Sequence, residues 1–307
     1  MKHDKKNILK RMRRYRGFYL MFIPVAVLTI IFYYVPMGGV LLAFTKYNGV
    51  KAPKFVGLKN FQKLFSMPGF WTAFGNTLFL SIVKLLLNTI LAVVISVLLN
   101  ELVFVKFKKA VQTIVFLPHF MSWVVTASIF ALILSPTSSG LVNQVLIKLG
   151  LIKDPIYFLG SLKWWRPTFF MINIWKDTGW GTIIFLATLS GINPELYEAA
   201  AIDGAGRWGK MKYVTIPALT STFVIVLVLN LASVMNLFEP VFVLENDAVT
   251  AKADVLQTYI YYQTFNSGSL PDYGYTTAIG LISSLVGMVL VLICNRISYK
   301  LRGRGIV

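Results

Sequence analysis

Six long apolar stretches divide this chain of 307 residues, and they constrain its fold more than any other feature. Each stretch is long enough to cross about 30 Å of hydrocarbon as an α-helix. Only 14% of the residues are charged, compared with about 25% in soluble domains, so polar groups are too few to cover a water-exposed fold. The sequence therefore predicts an all-α transmembrane protein with six spans, at 18–42, 77–99, 112–134, 168–190, 214–237 and 275–294.

The charges of the chain are unbalanced, with 30 Lys and Arg residues, 12 Asp and Glu residues and a formal net charge of +18. In a soluble protein this excess would indicate nucleic-acid binding, whereas in a membrane protein it marks cytoplasmic loops. More than half of the basic residues lie in segments that fall on one side of the membrane if the spans alternate: 1–17, 100–111, 191–213 and 295–307. We therefore expect a multi-pass plasma-membrane protein with both termini cytoplasmic, in contact with lipid and not with nucleic acid.

The same alternation predicts the domain organisation: a basic cytoplasmic arm at 1–17, a six-helix membrane domain at 18–294 and a basic cytoplasmic tail at 295–307. The uncharged run at 17–45 is too long for the hydrophobic core of a signal peptide. We therefore expect this run to be retained as the first span. Five lysines in the outer segment 43–76 depart from the charge bias.

Few side chains of this sequence could form a catalytic or metal centre. The chain has one cysteine, Cys294, and two histidines, His3 and His119, so neither a disulfide within the chain nor a Cys-based zinc site can form. An enzyme would need a nucleophile, a general base or metal ligands that converge in one place. We therefore predict that the protein is not an enzyme and has no catalytic, cofactor-binding or metal-binding residues.

The segment at 191–217, between the fourth and fifth spans, has strong local signals. Asn193 is a good helix N-cap, Pro194 suits the first helical position, and Asp203-Gly204 can end a helix. The segment therefore predicts two short helices with a break between them. One face of the first helix has small residues at its middle, which permits close docking onto another protein, and consists of Leu196, Ala199, Ala200 and Asp203.

This segment also carries a recognisable motif, made of Glu198-Ala199-Ala200, then Asp203-Gly204-Ala205, then Ile216-Pro217. The motif resembles the EAA loop with which the permeases of ABC importers dock on their ATPase subunits. Gly206 and Val214 are mild departures, because the family more often has Ser and Ile at these places. Further segments resemble the LplB-like branch, which imports oligosaccharides and polysaccharide fragments, and they lie at 116–118, 173–180 and 253–259.

The resemblance implies a type I ABC importer permease fold and several partners. These are a second permease subunit, two separate ATPase subunits that bind ATP and magnesium, an extracellular solute-binding protein and an oligosaccharide substrate. The resemblance further implies that closure of the ATPase subunits moves the loop at 191–217. The residues expected to couple this movement to transport are Leu196, Tyr197, Glu198, Ala199, Ala200, Asp203, Gly204 and Ala205.

Within the same loop, residues 204–211 spell G-x-x-x-x-G-K-M, one residue short of a phosphate-binding P-loop. A working P-loop needs Ser or Thr after the lysine to hold magnesium, and a strand before the glycines. Met211 cannot ligate magnesium, and a helix-forming stretch precedes the glycines. We therefore predict that this chain binds no nucleotide itself.

Polar side chains inside the fourth span are costly in a membrane, so each needs a partner or a function. One interpretation is that they line a sugar pathway, where oxygen atoms accept hydrogen bonds from hydroxyl groups and indoles stack on pyranose rings. The other is that they form a buried polar pair with another helix. The residues concerned are Asn173, Trp175, Lys176, Asp177 and Trp180.

The fifth span ends in a second polar set, in which Asn230, Ser233 and Asn236 follow an i, i+3, i+6 spacing and Glu239 closes the stripe. Polar residues on one helix face either line a cavity or hold helices together. By resemblance to maltose-type importers we favour lining for Asn230 and Asn236. For Lys84 and His119 we expect local roles, an internal bond or snorkelling for the lysine and a capping or interfacial position for the histidine.

The predicted function is that of the membrane-spanning subunit of an ATP-driven importer for oligosaccharides or complex glycan fragments. Three alternatives are a permease for another small solute, a secondary transporter and, least favoured, a membrane-embedded enzyme. A secondary transporter more often has repeated blocks of spans, and the sequence has no visible internal repeat.

Overall fold

The computed structural model describes residues 14–137, 140–266 and 270–302. Regular structure within these ranges is helical except for one two-stranded ribbon, in agreement with the predicted all-α class. Parts of the predicted basic arm and tail, 1–13 with His3 and 303–307, lie outside the described residues.

The chain divides into two compact units, each built from two stretches of sequence. The first comprises Met1–Ser66 and Gln263–Leu281, and the second comprises Met67–Tyr262 and Ile282–Val307.

The first unit begins with a helical rod, Arg16–Phe44, which is 29 residues long and apolar enough to cross a membrane. It coincides with the span predicted at 18–42. Its helical geometry changes next to Pro36, which has no N–H to donate to the preceding turn. The rod consists of α1 (Arg16–Thr29), a π-helical turn (Ile30–Tyr34), α2 (Val35–Met37) and a 3-10 helix (Gly38–Phe44).

A small ribbon and a short helix follow the rod. Strands β1 (Thr45–Lys46) and β2 (Lys54–Phe55) pair antiparallel, and α3 (Lys59–Ser66) comes next. The side-chain amide of Asn60 donates to the carbonyls of Ala43 and Thr45, both at 2.8 Å. Asn60 therefore fixes α3 to the end of the rod and to the ribbon.

All regular structure among the described residues of the second unit is helical. In chain order, its helices are α4 (Pro68–Asn100), α5 (Val105–Phe116), a 3-10 helix (Leu117–Phe120), α6 (Trp123–Ile133), α7 (Leu141–Lys148), α8 (Trp165–Ser190), α9 (Pro194–Ile202), α10 (Arg207–Lys210), a π-helical turn (Met211–Thr215), α11 (Ile216–Leu231), a 3-10 helix (Val234–Asn236), α12 (Glu239–Leu244) and α13 (Thr250–Ala253). Helices α14 (Leu256–Phe265) and α15 (Tyr273–Arg302) contribute residues to both units.

Helices α4 and α8 pack along each other, and α11 packs against both. Leu80 of α4 and Phe169 of α8 belong to one buried apolar cluster, whereas Ala92, Phe185 and Leu219 belong to another. The three helices therefore form the frame that positions the site described below.

Among the described residues, four helical segments are long and apolar enough to span a membrane, and a bent pair is a fifth candidate. They match five of the six predicted spans in position. Helix α8 covers the remaining predicted span, 168–190, and with 26 residues is long enough, but it is too polar to meet the same criterion. Its polarity comes from residues of the candidate site.

The third predicted span, 112–134, is not one straight helix as expected. Val105–Phe120 and Trp123–Ile133 meet at an angle of 104°. Pro118 lies before the bend and lacks an N–H, and the Ser122 hydroxyl accepts a hydrogen bond from the Val125 N–H at 3.2 Å, which caps a new helix. Local capping therefore breaks a stretch that hydropathy alone presents as continuous.

The fifth predicted span, 214–237, also ends earlier than expected, because α11 stops at Leu231. The Asn230 amide donates to the Val226 carbonyl at 2.9 Å, and the Ser233 hydroxyl donates to the Asn230 carbonyl at 2.9 Å. Such side-chain bonds compete with the helical backbone ladder. The predicted i, i+3, i+6 stripe on one α-helix is therefore wrong in geometry, since Asn236 lies on a separate 3-10 turn.

Candidate functional site

The loop at 191–217 forms the two short helices that its sequence predicts. The Asn193 side chain accepts from the Glu195 N–H at 3.1 Å and starts α9, which runs to Ile202. Gly204 has a φ of +78°, a left-handed conformation that glycine adopts at little cost. The Ala205 N–H then returns to the Ala200 carbonyl at 2.8 Å and closes the helix end.

Much of the apolar surface of this loop is uncovered. The exposed fraction is 53% for Leu196, 88% for Ile202 and 79% for Trp208. Glu198 and Ala199 are also exposed. An exposed apolar surface beside a carboxylate is typical of a protein-docking surface. This placement suits the predicted coupling residues, of which Tyr197, Ala200 and Ala205 are half-buried and Asp203 and Gly204 are exposed.

Two contacts fasten the loop to its own subunit. The Tyr197 hydroxyl hydrogen-bonds the Thr215 hydroxyl at 3.1 Å, and thereby joins α9 to the start of the fifth span. The Arg207 guanidinium forms an ion pair with Glu101, which follows the C-terminal end of α4. Sequence reasoning missed Glu101 and Arg207, because nothing local to either residue indicates the other. The loop is therefore connected at α9 to the start of the fifth span and at α10 to the residue that follows α4.

A cavity of about 620 Å³ lies between α4, α8, the 3-10 turn at Leu117–Phe120 and the segment that follows α11. It is lined by six of the nine predicted pathway residues: Asp177, Trp180, Asn230, Ser233, Asn236 and Glu239. The break after Leu231 turns the last three of these toward the same space. The polar stripe therefore reaches the cavity although it is not one helix face.

The other three predicted pathway residues are not part of the cavity lining. Asn173 is 1% exposed, and its amide donates to the Phe169 carbonyl at 2.7 Å. Lys176 is 4% exposed, and its ammonium donates to the His119 carbonyl at 3.0 Å. Trp175 packs edge-on against Phe130 on another side of α8. Helical spacing put Asn173, Lys176 and Asp177 on one face, but only Asp177 reaches the open space.

A cluster of charged and aromatic side chains forms one wall of the cavity. The Asp177 carboxylate lies 3.7 Å from the Lys84 ammonium and 3.5 Å from His119 Nδ1. The His119 ring stacks on Trp180 with 4.8 Å between ring centroids. The contact of Lys84 with Asp177 agrees with the internal bond that was one of the two roles expected for this lysine, and His119 lines the cavity.

Sequence reasoning assigned neither Lys84 nor His119 to the pathway, although both line the cavity. For each of these residues the sequence contains a feature that indicates a place in the cavity. Lys84 is a lone cation in an apolar span, and His119 follows a proline at a position where the span breaks. Such a residue in a membrane span faces the protein interior or a cavity by default.

The lining combines groups that recognise hydroxyl-rich molecules. Carboxylate and amide oxygens accept from hydroxyl groups, amide and ammonium groups donate to them, and an indole offers an apolar face. No group of three or more His, Cys, Asp or Glu side chains in the described parts of the chain could hold a metal ion. The polar and aromatic groups of the lining can bind a hydroxyl-rich molecule reversibly.

Comparison with known proteins agrees with this geometry. The family model for the binding-protein-dependent transport system inner membrane component matches residues 92–303. The polygalacturonan/rhamnogalacturonan transport system permease protein YteP of Bacillus subtilis (strain 168) is 36% identical, over 99% of this chain and 94% of its own length. Protein LplB of the same organism is 37% identical, over 96% of this chain and 92% of its own length.

Chains of solved ABC transporter structures are also similar to this chain in sequence and fold. A chain in the crystal structure of a bacterial ABC transporter involved in the import of the acidic polysaccharide alginate superposes with a TM-score of 0.87 at 35% identity, and covers 96% of this chain and 99% of its own. A chain of the bacterial alginate ABC transporter in complex with an alginate pentasaccharide-bound periplasmic protein also has a TM-score of 0.87, at 36% identity. This chain therefore belongs to the family of binding-protein-dependent transport system inner membrane components.

Proposed function

We propose that this chain is the membrane-spanning permease subunit of an ATP-driven importer for oligosaccharides or complex glycan fragments. The observation that carries the proposal is the cavity beside α4 and α8, whose lining brings together Asp177, Trp180 and Asn236. Relatives named for the transport of polygalacturonan, rhamnogalacturonan and alginate support a glycan as the cargo.

In this function the chain works within a larger assembly. A second permease subunit completes the passage, two ATPase subunits bind ATP and magnesium, and an extracellular solute-binding protein delivers the cargo. The last of these partners is supported by the alginate transporter, which forms a complex with a periplasmic protein. The chain itself holds no nucleotide and makes or breaks no covalent bond.

Coupling runs through the loop at 191–217. Glu198 meets donors on an ATPase subunit, while Leu196 and the alanines of α9 dock into its surface. Closure of the ATPase pair pushes α9, and the contacts of Tyr197 and Arg207 pass the displacement to the spans. The passage then alternates between inward-facing and outward-facing states.

A co-purification and uptake experiment tests this function. The tagged chain, expressed with its neighbouring genes, is expected to bring down an ATPase subunit, and vesicles that hold the complex should take up oligosaccharide only when ATP is supplied. Failure of any ATPase subunit to co-purify would contradict the proposal.

The same assay tests the cavity. Asn236→Ala should reduce uptake without lowering surface expression, because it removes an amide from the lining. Thr220→Ala is the matched control, since Thr220 is exposed on α11 and bonds back to its own helix at the Ile216 carbonyl. Normal uptake by Asn236→Ala would remove this residue from the pathway.

A further inference from the structure

We propose that Lys176 is a positioning residue for transport: its buried ammonium holds both sides of the break in the third span and so fixes one wall of the cavity. The proposal rests on the proposed function, because it requires the cavity to be the transport pathway. It gives a role to a charged residue that lies within α8 but outside the lining of the cavity.

The break separates two helical arms, Val105–Phe120 and Trp123–Ile133, which meet at 104°. The last carbonyls of a helix have no N–H partner within that helix. At the end of the first arm, the Lys176 ammonium donates to the His119 carbonyl at 3.0 Å. A cation is favourable at this end because the helix dipole is negative there. Lys176 therefore caps the first arm from a different helix, α8.

The same ammonium also contacts the second arm, at its first residue. The centroid of the Trp123 ring lies 5.2 Å from Lys176 Nζ, within the range of a cation–π interaction. Both side chains are buried, and Lys176 is only 4% exposed. One side chain of α8 therefore contacts the first arm where it ends and the second arm where it begins.

Lys176 has no carboxylate partner, unlike the other lysine of this region. Lys84 has Asp177 at 3.7 Å, whereas Lys176 forms no ion pair within the part of the chain that the structure describes. A charged side chain in a membrane span is costly unless it has a partner. The partners of Lys176 are a carbonyl and a ring at the break, so this cost is offset only while the two arms keep their positions.

A second contact from α8 fastens the first arm. Gly179 lies three residues after Lys176, on the same face of the helix. A Cβ built on Gly179 would collide with the carbonyl oxygen of Val115, which lies one helical turn before His119. Glycine permits such a close approach of two backbones. The contact at Gly179 therefore sets how close the two helices lie, and Lys176 sets where the arm ends.

The break carries two residues of the cavity lining, His119 and Trp123. The His119 ring stacks on Trp180 with 4.8 Å between ring centroids, and His119 Nδ1 lies 3.5 Å from the Asp177 carboxylate. Without the Lys176 ammonium, the His119 carbonyl would lose a donor and the two arms would lose a shared contact. This wall of the cavity would then shift, although every residue of the lining is still present.

Distances between spin labels on the two arms test this role in the complete importer, held in proteoliposomes with its binding protein. On a Cys294→Ser background, Thr113→Cys and Ser128→Cys place one nitroxide on each arm, at exposed side chains that bond back to their own helices. Double electron–electron resonance should give one main distance when Lys176 is present. Lys176→Met should lower the ratio of molecules within that main distance to molecules outside it by about ten-fold or more, the loss that corresponds to one hydrogen bond to a charged group.

Three further variants separate the charge from the packing. Lys176→Arg keeps the charge and should restore the main distance. Lys176→Gln keeps a donor without the charge, should have a smaller effect than Lys176→Met, and takes its place if the methionine variant does not assemble. Lys163→Met is the matched control and should keep the main distance, because Lys163 is exposed, precedes α8 and lies 5.6 Å from a different ring, that of Trp164.

Uptake by the same proteoliposomes, with tetragalacturonate and cellotetraose as probe cargoes, connects the break to transport. The KM for the transported probe should rise in Lys176→Met and return in Lys176→Arg, whereas a purely structural role predicts less assembled complex with an unchanged distance and KM. An unchanged distance or KM in Lys176→Met, an equal change in Lys163→Met or no restoration by Lys176→Arg would overturn the proposal and leave the importer function standing. Absence of ATP-dependent uptake of either probe by the unmodified importer would instead contradict the proposed function, on which the distances do not depend.

Discussion

At the scale of single residues, Gly204 shows how one backbone conformation shapes the coupling loop. Its φ of +78° makes the chain leave α9 and turn toward α10, and a Cβ built on it meets no atom within 4 Å. Space therefore does not restrict this position, but backbone conformation does. For an L-residue with a side chain, the left-handed region costs roughly 1–2 kcal/mol.

Gly204→Val is therefore expected to shift α9 and to uncouple the importer, because a β-branched residue is strained at this φ. Uptake per ATP hydrolysed, measured in proteoliposomes, should fall while insertion into the membrane stays intact.

Gly206→Val is the matched control for this change. Gly206 has an extended backbone with a φ of −68°, and a Cβ built on it also meets nothing within 4 Å. The coupling ratio should therefore stay close to that of the unmodified protein. Equal losses in the two variants would show that bulk at the loop, and not the turn, disturbs coupling.

Single residues also show where prediction from sequence stops. The N-cap at Asn193 follows from its immediate neighbours and is confirmed. The meeting of Lys84, His119 and Asp177 depends on which faces of three separate segments turn toward each other. Local spacing also could not separate Asp177, which reaches the cavity, from Asn173, which is buried one helical turn away.

At the scale of elements, the segment that follows the fifth span is fastened to α4 and α8 by buried polar contacts. The Trp165 indole N–H donates to the Leu244 carbonyl at 2.9 Å. The Leu256 N–H donates to the Thr77 hydroxyl at 2.8 Å, and the Asn76 amide donates to the Asp254 carbonyl at 2.8 Å. A segment without long helices is therefore held in place through its backbone.

This segment also contains a pH-sensitive group, Glu245. Burial raises the pKa of Glu245 from its ordinary value of 4.5 to about 7, and the nearby charge of Asp254 adds to this rise. The Tyr262 hydroxyl donates a hydrogen bond of 2.6 Å to the Glu245 carboxylate, which lowers the pKa and offsets part of the rise. Between these two pKa values the folded state binds more protons than the unfolded state, so stability falls as the pH rises. Burial likewise raises the pKa of Asp254, which acts in the same direction.

We therefore expect the melting temperature of the purified complex to fall between pH 5 and pH 7.5, and Glu245→Gln to reduce this slope. The glutamine stays neutral and can still accept from Tyr262. Asp247→Asn, on an exposed neighbour in the same segment, serves as the control and should keep the slope of the unmodified protein. A Glu245→Gln protein with an unchanged slope would contradict this assignment.

The elements also differ in how well the sequence predicts them. The length of the apolar stretches predicted where the spans lie, because a helix must be long and apolar to cross the hydrocarbon of a membrane. It did not predict the 104° bend after Phe120 or the end of α11 at Leu231. Both breaks depend on capping and side-chain bonds of Ser122, Asn230 and Ser233, which hydropathy does not register.

At the scale of the whole molecule, the distribution of charge predicts which side of the membrane each loop faces. Most of the basic residues fall in the segments proposed to be cytoplasmic, although five lysines lie in the first outer segment, 43–76. These lysines make the first outer loop the most informative place to test the orientation. The positive-inside rule is a bias over all loops, so one basic outer loop does not reverse it.

Single-cysteine labelling measures this orientation directly, because the chain has only one cysteine to remove, Cys294. On a Cys294→Ser background, Val50→Cys and Ile202→Cys place a thiol at positions that are 75% and 88% exposed, in the first outer segment and in the coupling loop. A membrane-impermeant maleimide added to intact cells should label the first at once and the second only after permeabilisation. The Cys294→Ser protein without an added cysteine gives the background, and labelling of Ile202→Cys in intact cells would place the coupling loop outside, where no ATPase subunit could reach it.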